Sequence, residues 1–267
     1  MSTTFALVGV GKLGEALLSG LLRAGTPPEQ VIGAERYEGR AKEIAETYGV
    51  PTAPPADAVA QADVVLLAVK PQDMRAALKE IAGSVRPETL VVSMAAGITT
   101  ALLEEELPEG THVVRVMTNT PVFVDEAMSA VSPGSHAKEE HLALVEDLLR
   151  HVGRVIRVPE HQQDAVTALS GSGPAYFFYL VEAMIDAGIL LGLPRAVAAE
   201  LIVQTAVGSA RMLQESDEHP VVLREAVMSP AGTTISAIRV MEDHGVRAAM
   251  LAALEAARDR SRELAGG

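Results

Sequence analysis

Two segments of the chain contain residues whose types and spacing could do chemistry. The first, Gly9–Gly14, reads GVGKLG and follows an apolar run with the character of a strand. In that context the glycine spacing permits a tight turn and a close approach of backbone to a pyrophosphate, which would lie on the N-terminus of the next helix. The segment therefore predicts a dinucleotide site, and the alternative is a glycine-rich turn that binds nothing.

The second segment, residues 228–242, reads MSPAGTTISAIRVME. Its small and hydroxylated residues precede apolar side chains that recur at helical spacing from Ile235 onward. The adjacent Thr233 and Thr234 offer more hydrogen-bond donors than the start of one helix requires. The segment is either an ordinary capped helix that packs its Ile235 face into a core, or a helix start that also presents those donors to a ligand.

Charged residues at two strand ends bear on the choice of dinucleotide. Glu35 comes about 20 residues after Gly14, where an acid often accepts the ribose 2′-hydroxyl of NAD. Arg36 follows it and could bind the 2′-phosphate of NADP instead. We expect NADP (as NADPH) to be preferred and NAD to be used as well, unless both residues belong only to a solvated loop. Lys70, at the end of another apolar strand, is either a cofactor contact or a surface lysine.

The elements that would position these residues alternate along the first part of the chain. Short β-branched runs such as VIGA, DVVLLAV and HVVRVMT are separated by amphipathic helical stretches. Strands that are apolar throughout and separated by helices imply a parallel sheet covered on both faces. After Pro159 only helical patterns follow, divided by Gly, Pro and Ser. We therefore predict an α/β fold, with a Rossmann-type doubly wound NAD(P)-binding domain over 1–159 and an all-helical second domain over 160–267.

Composition limits the partners and the compartment. A formal net charge of −13 argues against binding to nucleic acid or an anionic membrane, because phosphate-binding surfaces must be cationic. The chain has no cysteine, which suits the cytoplasm. The most membrane-like run, PAYFFYLVEAMIDAGILLGL, contains Glu182 and Asp186, which are costly in lipid, so we expect a buried helix there. Helices that are apolar around much of their circumference predict burial by a second subunit. The histidines are scattered along the sequence, so we predict no metal site.

Seven motifs in order resemble the pyrroline-5-carboxylate reductase family: GVGKLG, AVKP, SMAAGIT, RVMTNTPV, LSGSGPAY, GLPR and EHP followed by SPAGTTISAIRVME. The resemblance runs from Phe5 to Leu264. It implies a Rossmann domain and a helical domain that interlocks with a second subunit in a homodimer or a larger homo-oligomer. The implied reaction is the last step of proline biosynthesis, in which NADPH or NADH passes a hydride to the cyclic imine of 1-pyrroline-5-carboxylate, a small-molecule substrate, and yields L-proline.

The resemblance also implies the site residues. Thr234 and Ser229 would be the catalytic residues, with the Thr234 hydroxyl near the ring nitrogen of the substrate. The substrate would be bound by Ser229, Gly232, Thr233, Thr234 and Glu160, the last being where the family has an acid at the domain junction. The cofactor would contact Val8, Gly9, Val10, Gly11, Lys12, Leu13, Arg36, Ala68, Val69, Lys70, Pro71, Met94, Ala95 and Ala96, with Asn119, Thr120 and Pro121 beside the nicotinamide.

Three positions depart from the family pattern or vary within it. Ala231 stands where the family usually has the first of two glycines, and it would be strained if the loop requires a positive φ. Gly14 is a permitted alternative to alanine in the cofactor loop. Pro55 occupies the place of an asparagine that touches the cofactor ribose in some members.

Two other functions are compatible with parts of the sequence. A β-hydroxyacid dehydrogenase would need an acid–base lysine after its own GSG-like segment, and SGSGPAYFFYLVEAMIDAG contains none. A dinucleotide-binding redox sensor without turnover is the second alternative, and the intact Ser229–Thr234 loop argues against it.

Overall fold

The computed structural model describes residues 3–265, which form two compact units. The first comprises the chain up to Ser172 together with the C-terminal segment from Ala257, and the second is Gly173–Ala256. Within the first unit, Ser261 of the returning segment donates a hydrogen bond to Asp164 at 2.7 Å. The sequence-based boundary between residues 159 and 160 lies before the end of the first unit and stays a prediction.

Regular elements occupy most of the described chain. The strands are β1 Phe5–Val8, β2 Val31–Ala34, β3 Val64–Leu67, β4 Leu90–Ser93, β5 His112–Met117, β6 Ala127–Pro133 and β7 Gly153–Arg157. The helices of the first unit are α1 Lys12–Arg23, α2 Glu38–Tyr48, α3 Pro55–Ala60, α4 Met74–Ile81, α5 Thr100–Glu106, α6 Glu139–Arg150 and α7 Gln163–Val166. The remaining helices are α8 Gly173–Leu190, α9 Arg195–Glu215, α10 Pro220–Ala226, α11 Thr233–Asp243 and α12 Val246–Ala265.

The strands form one sheet in the order β2-β1-β3-β4-β5-β6-β7. Strands β1 to β5 are parallel, as their apolar, helix-separated sequences predict. Strand β6 is not predicted from the sequence, and because it pairs antiparallel with β5 the sheet is predominantly rather than entirely parallel. The connection before β6 contains only a short 3-10 turn, Thr120–Val124, and Asp125 with φ 60°, which is too little chain for a crossover helix. Helix α6 then makes the crossover to β7, which is parallel to β6.

Alternate residues of the parallel strands enter two cores, one on each face of the sheet. Leu7 packs in the core that contains Leu17 of α1 and Leu149 of α6. Val65 packs in the other core, with Leu78 of α4. Burial on both faces defines a doubly wound sheet, and it aligns the carboxyl ends of β1 to β5 along one edge.

The second unit, as the structure describes it, consists of helices and loops, in agreement with the prediction. Helix α8 forms where expected, but the chain leaves Phe177, Phe178 and Tyr179 between 67% and 71% exposed, so the expected burial is not achieved within the single chain. By length and composition, the helical stretch Glu160–Leu190 and helix α9 are each apolar enough to cross a membrane, and little of either is buried. Apolar surface of this extent indicates that something else covers these helices.

Candidate active site

A cleft of about 250 Å³ lies at the carboxyl ends of β1, β2 and β3 in the first unit. The order β2-β1-β3 reverses the direction of winding here, and open α/β sheets bind ligands at such a point. The lining residues come from the three strand ends, the loops that follow them, the start of α3 and helix α4. They are Val8, Gly9, Gly11, Ala34, Glu35, Arg36, Tyr37, Pro55, Ala68, Val69, Lys70, Asp73, Ala77 and Glu80.

The glycine loop is packed so closely that two of its glycines have no room for a side chain. Gly9 has φ +87°, and a Cβ there would press on Val69. A Cβ on Gly14 would overlap the carbonyl oxygen of Gly9. Gly11 differs, because a Cβ there would meet no atom within 4 Å and would only narrow the cleft. Gly11 is also the N-cap of α1, which has no side-chain cap, so the helix begins at the cleft in the manner of a pyrophosphate site.

Val10, in the middle of the loop, is held on both sides of its backbone. Its N–H donates to Glu35 at 3.1 Å, and its carbonyl accepts a hydrogen bond from Nε of Arg40 at 3.1 Å. Arg40 also forms ion pairs with Glu15 of α1 and Glu43 of α2. Hydrogen bonds to Glu43 and then to Glu15 raise the pKa of Arg40. Burial acts to raise the pKa of Glu15, but hydrogen bonds, first that from Arg40, outweigh this effect and hold the pKa below its usual value. The Glu15–Arg40 ion pair is therefore charged at neutral pH.

Charged side chains gather at the β2 end of the cleft. The second oxygen of Glu35 accepts a further backbone N–H at 3.2 Å, so this carboxylate faces the loop. Nη2 of Arg36 lies 3.0 Å from Oε2 of Glu80, and both side chains are partly exposed. With Asp73 and Lys70, three carboxylates and two cations line the cleft. A dinucleotide phosphate can therefore be bound by backbone N–H groups, by Lys70 and by Arg36, which is already paired with Glu80.

The cleft brings together part of the predicted cofactor set. The predicted residues in its lining are Val8, Gly9, Gly11, Arg36, Ala68, Val69 and Lys70. The others lie outside that lining, although they share the same edge of the sheet: Val10, Lys12 and Leu13 in the loop and the start of α1, Pro71 in the 3-10 turn after β3, Met94–Ala96 after β4, and Asn119–Pro121 after β5. Contacts of these residues with a cofactor stay predictions.

Asn119 joins the segment after β5 to a π-helical turn, Thr167–Gly171. Its Nδ2 donates to the carbonyl of Ser170 at 3.1 Å, and its Oδ1 accepts the N–H of Met128 at 2.9 Å. A Cβ on Gly171 would overlap the side chain of Met117, so the two segments are in close contact. The amide of Asn119 therefore holds the backbone after β5 in place, next to a kind of turn that recurs near functional sites.

Glu160 is engaged within the first unit. Its carboxylate accepts hydrogen bonds from the N–H of Thr100 at 2.7 Å and from the hydroxyl of Thr100 at 2.6 Å. It also pairs at 3.2 Å with Arg115, whose side chain is only 4% exposed and whose charge needs a partner. Glu160 thus serves as an anion at the N-terminus of α5, and its contact with a substrate stays a prediction.

The predicted substrate residues of the second unit gather at the start of α11. Gly232 is the N-cap, and a Cβ there would overlap the hydroxyl of Ser229. Thr233 and Thr234 are the first two residues of the helix. Ala231 has φ +58°, so the strain foreseen for this position is present. Hydroxyls and backbone N–H groups thus converge at one helix terminus, an arrangement that can bind a small carboxylate.

The alternative interpretation of this segment, a capped helix packed into a core, does not fit the single chain. No side chain caps α11, and Ile235 is 39% exposed. The backbone N–H donors at the start of the helix therefore have no side-chain cap.

Several residues of the cleft are not among the site residues predicted from the sequence. Asp73, Ala77 and Glu80 follow one another at helical spacing and place one face of the α4 region against it. Tyr37, which directly follows Arg36, lines the cleft with 77% of its surface exposed. The spacing i, i+4, i+7 after AVKP is the signal from which Glu80 could have been found.

Known proteins resemble both units. Residues 160–264 match the family described as pyrroline-5-carboxylate reductase dimerisation, which indicates homo-oligomerisation, and residues 4–97 match NADP oxidoreductase coenzyme F420-dependent. The chain is 46% identical over 266 residues to a pyrroline-5-carboxylate reductase of Corynebacterium melassecola, with 98% of each covered. It resembles the structure of a pyrroline-5-carboxylate reductase from Coxiella burnetii, with a TM-score of 0.92, 35% identity and 99% of each chain covered. It also resembles a Plasmodium falciparum pyrroline carboxylate reductase with NADP bound, with a TM-score of 0.89, 26% identity and 98% of each chain covered. On this evidence the chain belongs to the pyrroline-5-carboxylate reductase family.

Proposed function

We propose that this chain reduces 1-pyrroline-5-carboxylate to L-proline with NADPH, and with NADH at lower efficiency. The observation that carries the proposal is the start of α11 in a chain of this family, where threonine residues and an uncapped helix terminus offer donors to a carboxylate. The cleft at the glycine loop supports the cofactor assignment, because its close-packed glycines and the start of α1 suit a dinucleotide pyrophosphate.

The first unit would hold the cofactor. The loop around Val10, fixed by Glu35 and Arg40, would bind the pyrophosphate, and Arg36 would bind the 2′-phosphate. When bound, the reduced nicotinamide supplies the hydride. The segment that Asn119 holds in place would lie beside the nicotinamide, which requires a fixed backbone more than a charged group.

The second unit would hold the substrate. Ser229, Gly232, Thr233 and Thr234 would bind its carboxylate through hydroxyl and backbone donors, which leaves the imine ring free. The Thr234 hydroxyl would lie near the ring nitrogen. Hydride addition to a protonated imine leaves no negative charge on the substrate that requires an oxyanion hole, so orientation and exclusion of water are the main tasks of the protein.

Three finer features belong to the same proposal. The helices of the second unit would form the homodimer interface, since their apolar faces are exposed in the single chain. The dimer could assemble further into a larger homo-oligomer. The enzyme would act in the cytoplasm, where a chain without cysteine needs no oxidising environment.

Steady-state assay of the purified protein tests the function. We expect oxidation of NADPH in the presence of 1-pyrroline-5-carboxylate, with formation of proline and a lower rate with NADH. Binding of either cofactor without turnover would contradict the proposal and favour the redox-sensor alternative.

A substitution at Thr234 tests the substrate site. Thr234→Ala should lower kcat/KM for 1-pyrroline-5-carboxylate roughly ten- to hundredfold, the effect of losing a hydrogen bond to a charged group. The Kd for NADPH, measured calorimetrically, should not change. Thr234→Ser retains the hydroxyl and should recover most of the activity. An equal loss of cofactor affinity in Thr234→Ala would show that Thr234 belongs to another site.

A further inference from the structure

Glu80 is the one acid in the cleft lining whose carboxylate forms an ion pair with Arg36. It lies on α4, on the helical face that also carries Asp73 and Ala77 into the cleft. The Arg36 and Glu80 side chains are 52% and 38% exposed, so the pair is accessible to a ligand. Glu80 lies outside the glycine loop motif and the strand ends, and only the helical spacing after AVKP connects it with the site.

The pairing matters because Arg36 is the group suited to the 2′-phosphate that distinguishes NADP from NAD. A phosphate that approaches Arg36 has to displace the Glu80 carboxylate or share the guanidinium with it. Glu35 places a second negative charge at the same end of the cleft, held there by two backbone N–H groups. NAD lacks the 2′-phosphate, and its ribose hydroxyls can donate to the remaining lone pairs of Glu35.

We propose that Glu80 is a specificity-determining residue that lowers the preference of this chain for NADP over NAD. It acts by holding Arg36 and by repelling the 2′-phosphate. The inference rests on the proposed use of a nicotinamide dinucleotide in this cleft. Glu80 affects the ratio of the affinities for NADP and NAD. It takes no part in hydride transfer.

The test measures the Kd of NADP⁺ and of NAD⁺ by calorimetry on the intact protein, without substrate. Glu80→Gln keeps the shape of the side chain and removes its charge. We expect the ratio of the NAD⁺ Kd to the NADP⁺ Kd to rise roughly three- to tenfold, the range expected for an exposed ion pair and a nearby like charge. The change should come from tighter binding of NADP⁺, with the affinity for NAD⁺ nearly unchanged.

Two controls separate the ion pair from other effects of charge. Glu88→Gln removes an equally charged side chain that pairs with Arg86 at 3.2 Å and is absent from the cleft lining, so it should leave the ratio unchanged. In an Arg36→Ala background, Glu80→Gln should raise the ratio by a clearly smaller factor, because no Arg36 guanidinium remains to be released from Glu80.

The outcomes are distinct. An unchanged ratio in Glu80→Gln overturns the inference, as does an equal rise in Glu88→Gln or an equal rise with and without Arg36. If neither dinucleotide binds to the unmodified protein, the proposed function fails together with this inference. If both bind and only the ratio fails to respond, the proposed function stands and Glu80 has no role in specificity.

Discussion

At the scale of single residues, Ala231 is the position where the chain keeps an unfavourable backbone conformation. Among the described residues, it and Asp125 are the non-glycine residues with positive φ. Asp can form local hydrogen bonds that ease this conformation, whereas Ala cannot. The following residue, Gly232, closes the turn with a hydrogen bond from its N–H to the carbonyl of Ser229 at 3.0 Å. The strain therefore lies in the turn that brings Ser229 to the start of α11.

Replacing Ala231 with glycine should relieve this strain. The left-handed conformation costs an L-residue about 1–2 kcal/mol, and the greater freedom of glycine in the unfolded chain offsets part of the gain. We expect Ala231→Gly to stabilise the protein by about 0.5–1 kcal/mol. Urea unfolding at fixed protein concentration measures the effect. Ala253→Gly, at an exposed position of α12, is the matched control and should destabilise by about 1 kcal/mol. A loss of stability in Ala231→Gly would show that the turn does not strain this residue.

At the scale of elements, the turn from β1 to α1 divides two roles between its glycines. Gly14 allows the helix to fold back on the loop, because a Cβ there would overlap the carbonyl oxygen of Gly9. Gly11 has free space around it but borders the cleft. Gly14 is thus needed for packing, and Gly11 is needed for the approach of a ligand.

Alanine substitutions should separate these two roles. Gly14→Ala should lower the free energy of unfolding by about 1–3 kcal/mol, as overpacking does. Gly11→Ala, at φ −69°, should change stability by less than about 0.5 kcal/mol and weaken NADPH binding by about tenfold or more. Thermal unfolding and calorimetric titration of both variants check the pair. If Gly14→Ala is as stable as the unmodified protein, or if Gly11→Ala binds NADPH with unchanged affinity, the two glycines do not have these separate roles.

Elements that obey simple periodic rules could be predicted from the sequence, and β6 shows why others could not. Strands β1 to β5 read as apolar runs because both of their faces are buried. β6 contains Ser129 and Ser132, which are fully buried yet satisfied by hydrogen bonds, from Ser129 to Thr118 at 2.9 Å and from Ser132 to the carbonyl of Val158 at 2.7 Å. Those partners are remote in sequence, so the run appears too polar for a buried strand.

The same limit applies to the candidate site. The glycine loop and the strand ends are local patterns, and they locate the cleft. The Arg36–Glu80 pair joins residues 44 positions apart, and the contacts of Glu160 with Thr100 join residues 60 apart, so neither follows from local spacing. Side-chain pairing across the sheet edge is a property of the folded chain.

At the scale of the whole molecule, exposed apolar surface on the second unit calls for a covering layer. Residues such as Phe178, Leu190 and Leu201 are 69%, 89% and 55% exposed. Such surface would be unfavourable in water, at roughly 25 cal/mol for each Å² of apolar area. The matched dimerisation family indicates a second copy of the chain as the cover, whereas length and composition alone would also allow a membrane. Glu182 and Asp186 within α8 favour the protein partner, because charges are costly in lipid.

The purified chain should therefore sediment as a dimer or a larger homo-oligomer in buffer without detergent. Phe178→Asp places a charge on the exposed face of α8 and should shift the protein toward monomer, since an unpaired charge at a buried interface typically costs several kcal/mol. Ile156→Asp is the matched control: Ile156 is also exposed, at 46%, but lies on β7 of the first unit, so the assembly should persist. Analytical ultracentrifugation over a concentration series distinguishes the two variants. Dissociation by Ile156→Asp alone would place the interface on the sheet edge, and a wild-type chain that sediments with vesicles and is released only by detergent would show that lipid covers these helices.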